Sequence, residues 1–299
     1  MAIYANYQDC NTSQLGTGVL PCEPPTGVPD GIFLVLKSWR ANVTSDDFDN
    51  DFITAEIKAK RMIPLLNAIG YEPQDEAAEI FTTNLKKKIK VIDGLPGFAF
   101  DFNNGYGFHK AAYSLNSYNQ FDVVLAYNNG SVFAAIDEDG NIKGHSAGIV
   151  DTSQYMHANG SDPQKTTLMF QLTDANEYNT RGVVLTSGAN GFNLSTILGI
   201  IDTKITKVSN NAADVVVTVN ALNNSATPIT GLVLANFRAL GTSETIDSVS
   251  YDTATKEYTL TFSGTVAGDY ADLVIELYDS VDSTLVIESG NTLYQGSSR

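Results

Sequence analysis

From Ile200 to the C-terminus the chain never holds a helical period, and this is its tightest constraint. The runs "DVVVTVNAL", "ITGLVLANF", "ETIDSVSYD", "KEYTLTFSG", "YADLVIELYD" and "STLVIESGNTLY" follow one another at short intervals, with polar turns between them. Short β-branched and aromatic runs at that spacing point to a small antiparallel sandwich. Neither Cys10 nor Cys22 falls in this region. The expectation over 200–299 is therefore an immunoglobulin-like β-sandwich without the inter-sheet disulfide.

A chain of 299 residues exceeds the usual reach of one hydrophobic core, so a second domain is expected before it. Residues 1–30, ending "LPCEPPTGVPDG", read as an extended arm, because their prolines lack amide donors. "IFLVL" reads as a buried strand. In "SDDFDNDFITAEIKAKRMIPLL", Ser45 is placed to cap a helix with Asp46, Asp47 and Asp49 in its first turn. Lys58, Lys60 and Arg61 lie near its end, and Pro64 is expected to stop it. "EIFTTNLKKKIKVID" and "FAFDF" predict two antiparallel strands turning at "GLPG". "GFHKAAYSLNSYN" predicts a short helix with Phe108, Ala111, Ala112 and Leu115 on one side. "QFDVVLAY", "GSVFAAID", "NIKGHSAGIV", "KTTLMFQLTD" and "TRGVVLTS" read as further strands. The chain is thus expected to be mainly β. Residues 31–199 are an α+β N-terminal domain, a β-sandwich or barrel-like module with one or two helices.

Thirty-four acids against eighteen bases leave a net charge of −16, which repels nucleic acid in general. Against that background, four of the basic residues fall within residues 86–90. Strand alternation puts Lys86, Lys88 and Lys90 on one face and Lys87, Ile89 and Val91 on the other. A solvated face that guards a strand edge accounts for the lysines. Phe98, Phe100, Phe102, Tyr106 and Phe108 fit a buried strand face better than a base-stacking platform.

The sequence offers little chemistry. His109, His145 and His157 are too dispersed for a zinc motif and read as exposed loop residues. "DEDGNIKG" fits a hairpin turn, since its Gly stands fourth and no Glu stands twelfth, unlike a calcium loop. GxSxG, P-loop and dinucleotide fingerprints are absent, so no catalytic, metal or cofactor residues are expected and the protein is read as non-enzymatic. The two cysteines read as free thiols. No leader pattern opens the sequence and no apolar run approaches the ~18 residues of a membrane span, so a soluble, unprocessed protein without a membrane partner is expected.

The order "DGIFLVLKSW", a helix, then "KIKVIDGLPGFAFDFNNGYGFHKAAYSLNSYNQFDVVLAYNNGSVFAAIDEDGNIKG" and a final immunoglobulin-like module resembles virion structural proteins of tailed bacteriophages, tail tube proteins above all. The resemblance implies a β-sandwich flanked by a helix, in subunits that close into stacked rings around a DNA channel. It implies three kinds of partner: further copies of the chain, other tail or neck proteins, and viral DNA passing without sequence recognition. The location implied is the virion, with assembly in the host cytoplasm. Inter-subunit contacts would come from the N-terminal arm and from the loop around Asn67 to Glu76, with Tyr71, Glu72, Asp75 and Glu76. Lys86, Lys88 and Lys90 would meet acidic neighbours. Two other readings stand beside it, a capsid-decorating or collar protein and, in a different class, an extracellular carbohydrate-binding or glycan-cleaving module.

Overall fold

The computed structural model describes residues 27–42, 49–185, 193–197, 199–222, 224–289 and 292–299. Cys10, Cys22, Ser45, Asp46, Asp47 and nearly all of the expected arm lie outside these residues. The protein is mainly β. It divides into two compact units, Met1–Glu56 with Lys60–Ile197, and Leu198–Arg299 with Ile57–Ala59.

The first unit begins with β1 (Pro29–Leu36), α1 (Asn50–Lys58), β2 (Met62–Leu65), β3 (Gly70–Pro73), β4 (Glu79–Thr82), β5 (Lys88–Ile92) and β6 (Gly97–Phe102). There follow α2 (Gly105–Ser114), β7 (Ser117–Tyr118), β8 (Phe121–Tyr127), β9 (Val132–Ile136) and β10 (Ile142–Lys143). It closes with β11 (His145–Thr152), β12 (Thr166–Leu172), α3 (Ala175–Thr180) and β13 (Gly182–Leu185). β1 pairs with β2 on one side and β8 on the other. β11 pairs with β8 through His145 and Ser146, then with β12 from Ala147 to Thr152, passing a register shift between Ala147 and Ile149. A strand that changes partners at a bulge bends the sheet. The sheet thereby curls around Phe98, Phe100, Phe102, Leu125, Leu168 and Phe170.

Several expectations need correction here. Pro29 and Asp30 already belong to β1, so the arm cannot extend to residue 30. Helix α1 is capped by Asp49, whose Oδ1 accepts a hydrogen bond from the Phe52 amide at 2.8 Å. It ends at Lys58, with Lys60 in the left-handed region at φ 59°, and not at Pro64, which pairs with Phe33 in β2. Beyond the helix, Arg61 and the Trp39 indole both donate to the buried Glu56 carboxylate. Ala111 of α2 is exposed, whereas Ala112 is buried. The module carries three α-helices among the described residues, one more than expected. The third, α3, is capped by the Asp174 carboxylate, which accepts from the Asn176 and Glu177 amides at 2.8 and 3.1 Å.

The second unit holds β14 (Ile200–Asn211), β15 (Asp214–Ala221), β16 (Asn224–Pro228), β17 (Phe237–Leu240) and β18 (Ile246–Asp252). β19 (Glu257–Phe262), β20 (Val274–Leu277), β21 (Ile287–Ser289) and β22 (Thr292–Ser297) complete it. Its order is β18-β19-β15-β14-β22-β20-β17. Read as D-E-B-A and G-F-C, this is the strand arrangement of a constant-type immunoglobulin sandwich, with the first and last strands joined by a parallel pairing. Tyr258, fully buried, ties the core to the loop before β17: its hydroxyl donates to the Ile229 carbonyl at 2.9 Å and accepts from the Leu232 amide at 3.3 Å. "ITGLVLANF" is this loop and a 3-10 turn rather than a strand, because Gly231 sits at φ +80°.

Candidate assembly surface

The segment from Gly70 to Phe102 is one long β-ribbon. At its root β3 pairs with β6, from Gly70↔Asp101 to Pro73↔Phe98. Backbone bonds carry the two chains onward, Gln74 to the Gly97 carbonyl at 2.8 Å and Glu76 to the Leu95 carbonyl at 2.9 Å. β4 then pairs with β5, from Glu79↔Ile92 to Thr82↔Lys88. "GLPG" is therefore not the hairpin turn. Gly94 lies where the two backbones nearly touch, and a Cβ there would stand 1.9 Å from the Glu76 carbonyl oxygen. The real turn is Asn84-Leu85-Lys86, closed by the Thr83 amide on the Lys87 carbonyl and the Lys86 amide on the Thr83 carbonyl, each at 2.8 Å. Lys86 takes the left-handed conformation, φ 59°, that a three-residue hairpin loop requires.

Beyond Glu79 the ribbon buries nothing: every residue of β4 and β5 is exposed. Phe81 pairs with Ile89, and Val91 follows on the same face. They are 60%, 52% and 61% exposed, and Leu85 at the tip is 81% exposed. Ile80 stands on the opposite face with Lys88 and Lys90, and Ile92, set opposite Glu79 across a register shift, is likewise open to solvent. A two-stranded ribbon without a core is marginal in water. Covering Phe81, Ile89 and Val91 would contribute about 1.5–3 kcal/mol each, so this surface gains most from a partner.

The anticipated contact residues sort along this ribbon. Lys86 belongs to the turn, so the stripe of three lysines on one strand face shrinks to Lys88 and Lys90; Lys90 pairs with Asp93. Glu72, Asp75 and Glu76 are exposed along the root, and Asp75 Oδ1 accepts the Gly97 amide at 3.1 Å. Tyr71 points the other way: its ring packs on Phe98 and Phe100 at centroid distances of 6.3 and 5.2 Å, and burial raises its hydroxyl pKa. The apolar residues Ile80, Phe81, Leu85 and Ile92 were missed as surface features. The alternation in "KIKVI" was the available signal, but it reads equally well as a strand with one buried face.

Among the described residues no group of three or more His, Cys, Asp or Glu is placed to hold a metal. A hollow of about 390 Å³ on the outer face of β3, β6 and β12 contains Asp101, but its carboxylate is occupied by Lys165 at 2.7 Å and by the Thr167 hydroxyl. Of the histidines, His157 is exposed and His109 half-buried on α2, while His145 is 1% exposed within β11. The expectation of exposed loop histidines is wrong for His145, because β11 turns its side chain onto Phe133 and Tyr178 at centroid distances of 4.7 and 5.2 Å. Tyr106 is 60% exposed, so it leaves the buried face formed by Phe98, Phe100 and Phe102. "DEDGN" is a hairpin turn in which Asp137 Oδ1 accepts from the Asp139 and Asn141 amides at 3.0 and 2.8 Å. No helix of the described residues is long and apolar enough to cross a membrane.

Neither a protein-family model nor a curated protein matches the chain in sequence.

Proposed function

We propose that the chain is a non-enzymatic structural protein that assembles with copies of itself, in the manner of a tailed-phage tail tube subunit whose rings stack around a DNA channel. One observation carries the reading: residues 79–92 form a ribbon with large apolar side chains on both faces and no core of their own. Soluble proteins rarely leave such a patch uncovered, and a partner surface is its ordinary purpose. The mainly β architecture and the terminal immunoglobulin-like sandwich fit the same reading, and the acidic net charge suits a protein that lets DNA slide without binding it.

Negative-stain electron microscopy of the full-length protein, with its mass from light scattering, tests this. Rings or stacked tubes of defined diameter are expected at micromolar concentration. A monodisperse monomer overturns self-assembly and favours a decoration or collar protein that docks on something else.

A further inference from the structure

The ribbon is polarised in charge as well as exposed. Its outgoing strand carries Glu72, Asp75, Glu76 and Glu79 with no basic residue between them, and its tip carries Lys86, Lys87 and Lys88 with no acid between them. All seven side chains are exposed, and none forms an ion pair among the described residues. Within one molecule the two groups are held apart along the ribbon. Lys88 pairs with Thr82, so a strand rise of about 3.3 Å per residue puts the tip lysines on the order of 10 Å beyond Glu79 and 20 Å beyond Glu76, more than one screening length of about 8 Å at physiological salt.

We propose that the lysine tip of one copy docks on the acidic root of the ribbon in a second copy, an inference that rests on the self-assembly reading. The charges set direction and register, while Phe81 and Ile89 behind the tip supply the apolar area to be covered. Tip and root are different surfaces, so the contact is heterologous. Each copy offers one of each, and repetition closes a ring or runs on as a filament. Like charges placed opposite one another would repel, which makes head-to-head pairing unfavourable.

Reciprocal charge reversal in the full chain tests the contact. One variant carries Lys86→Glu, Lys87→Glu and Lys88→Glu; the other carries Glu72→Lys, Glu76→Lys and Glu79→Lys. Asp75 is left in place because it holds the Gly97 amide. Each variant alone should require at least tenfold more protein to assemble by light scattering, with an unchanged far-ultraviolet circular dichroism spectrum. Mixed one to one they should assemble again, since the acidic tip of the first fits the basic root of the second and the reverse holds too. Wild-type assemblies that both reversals leave intact would overturn the tip-to-root contact but not self-assembly. Loss in both variants without recovery on mixing would also overturn it. A wild-type protein that never assembles would instead remove the self-assembly reading on which the contact rests.

Discussion

Asp122 and His145 sit on paired strands, His145 opposite Val123 and Ser146 opposite Asp122, and they pull stability in opposite directions with pH. Burial pushes the Asp122 carboxyl up to about 6, although Lys143 and Lys37 oppose the shift. Burial pulls the His145 imidazole down to about 4, partly offset by Glu177. The folded state therefore holds the Asp122 proton where the unfolded chain has released it, and that stabilisation is lost as pH rises from about 4 through 6. His145 behaves in the reverse sense: its contribution is complete above its ordinary value and is lost as pH falls from about 6.5 towards 4. Each shift spans roughly two pH units, about 3 kcal/mol, so the two nearly cancel. Replacing either residue should uncover the other. Relative to wild type, Asp122→Asn should gain stability between pH 4.5 and 6.5, and His145→Phe should lose it over the same interval. Urea midpoints followed by the fluorescence of Trp39, the one tryptophan, would show this; slopes of the same sign in both variants would refute the pairing. Neither environment was legible in the sequence, because a His in "KGHSAG" carries no sign of the Phe133 and Tyr178 rings that the fold brings to it.

The ribbon shows at the scale of elements why local signals mislead. "GLPG" has the composition of a turn, yet neither Gly94 nor Gly97 takes a positive φ. Both serve close approach instead: a Cβ on Gly97 would stand 2.6 Å from the Gln74 carbonyl oxygen. The partner that makes β6 a continuation rather than a return is β3, and that pairing is visible only once the chain is folded. The period-two strands, the helix over α2 and the hairpin at "DEDGN" were readable because side-chain alternation and turn chemistry are local. β14 was not read, since along its length only Thr203 and Ile205 are buried and polar residues interrupt the rest. Gly94→Val follows as a test of the ribbon's middle. With 1.9 Å available to the Glu76 carbonyl oxygen and 3.0 Å to the Ala78 amide, the two backbones must separate there. Amides of 79–92 should then exchange hydrogen much faster while those of β8 and β12 stay protected, and assembly should fail. Unchanged protection in 79–92 would show that the close approach is dispensable.

For the whole molecule, the division into two units has a consequence for assembly. Each unit encloses its own core, one around Phe100, Leu125 and Phe170 and the other around Val217, Tyr258 and Ile275. The second unit's strand order is complete in itself, from β14 to β22. A sandwich of about 100 residues with that arrangement is large enough to fold alone. Both parts of the proposed contact, the acidic root and the lysine tip, lie in the first unit, so assembly has no need of the second. Residues 1–197 should therefore form the same rings or tubes as the full chain, at a concentration within a few-fold of it, and residues 198–299 should remain a folded monomer. Rings from 1–197 would leave the immunoglobulin-like unit without a part in the self-assembly contact. Monomeric, folded 1–197 beside full-length assemblies would instead require an interface in the second unit, and the ribbon would lose its place as the principal contact.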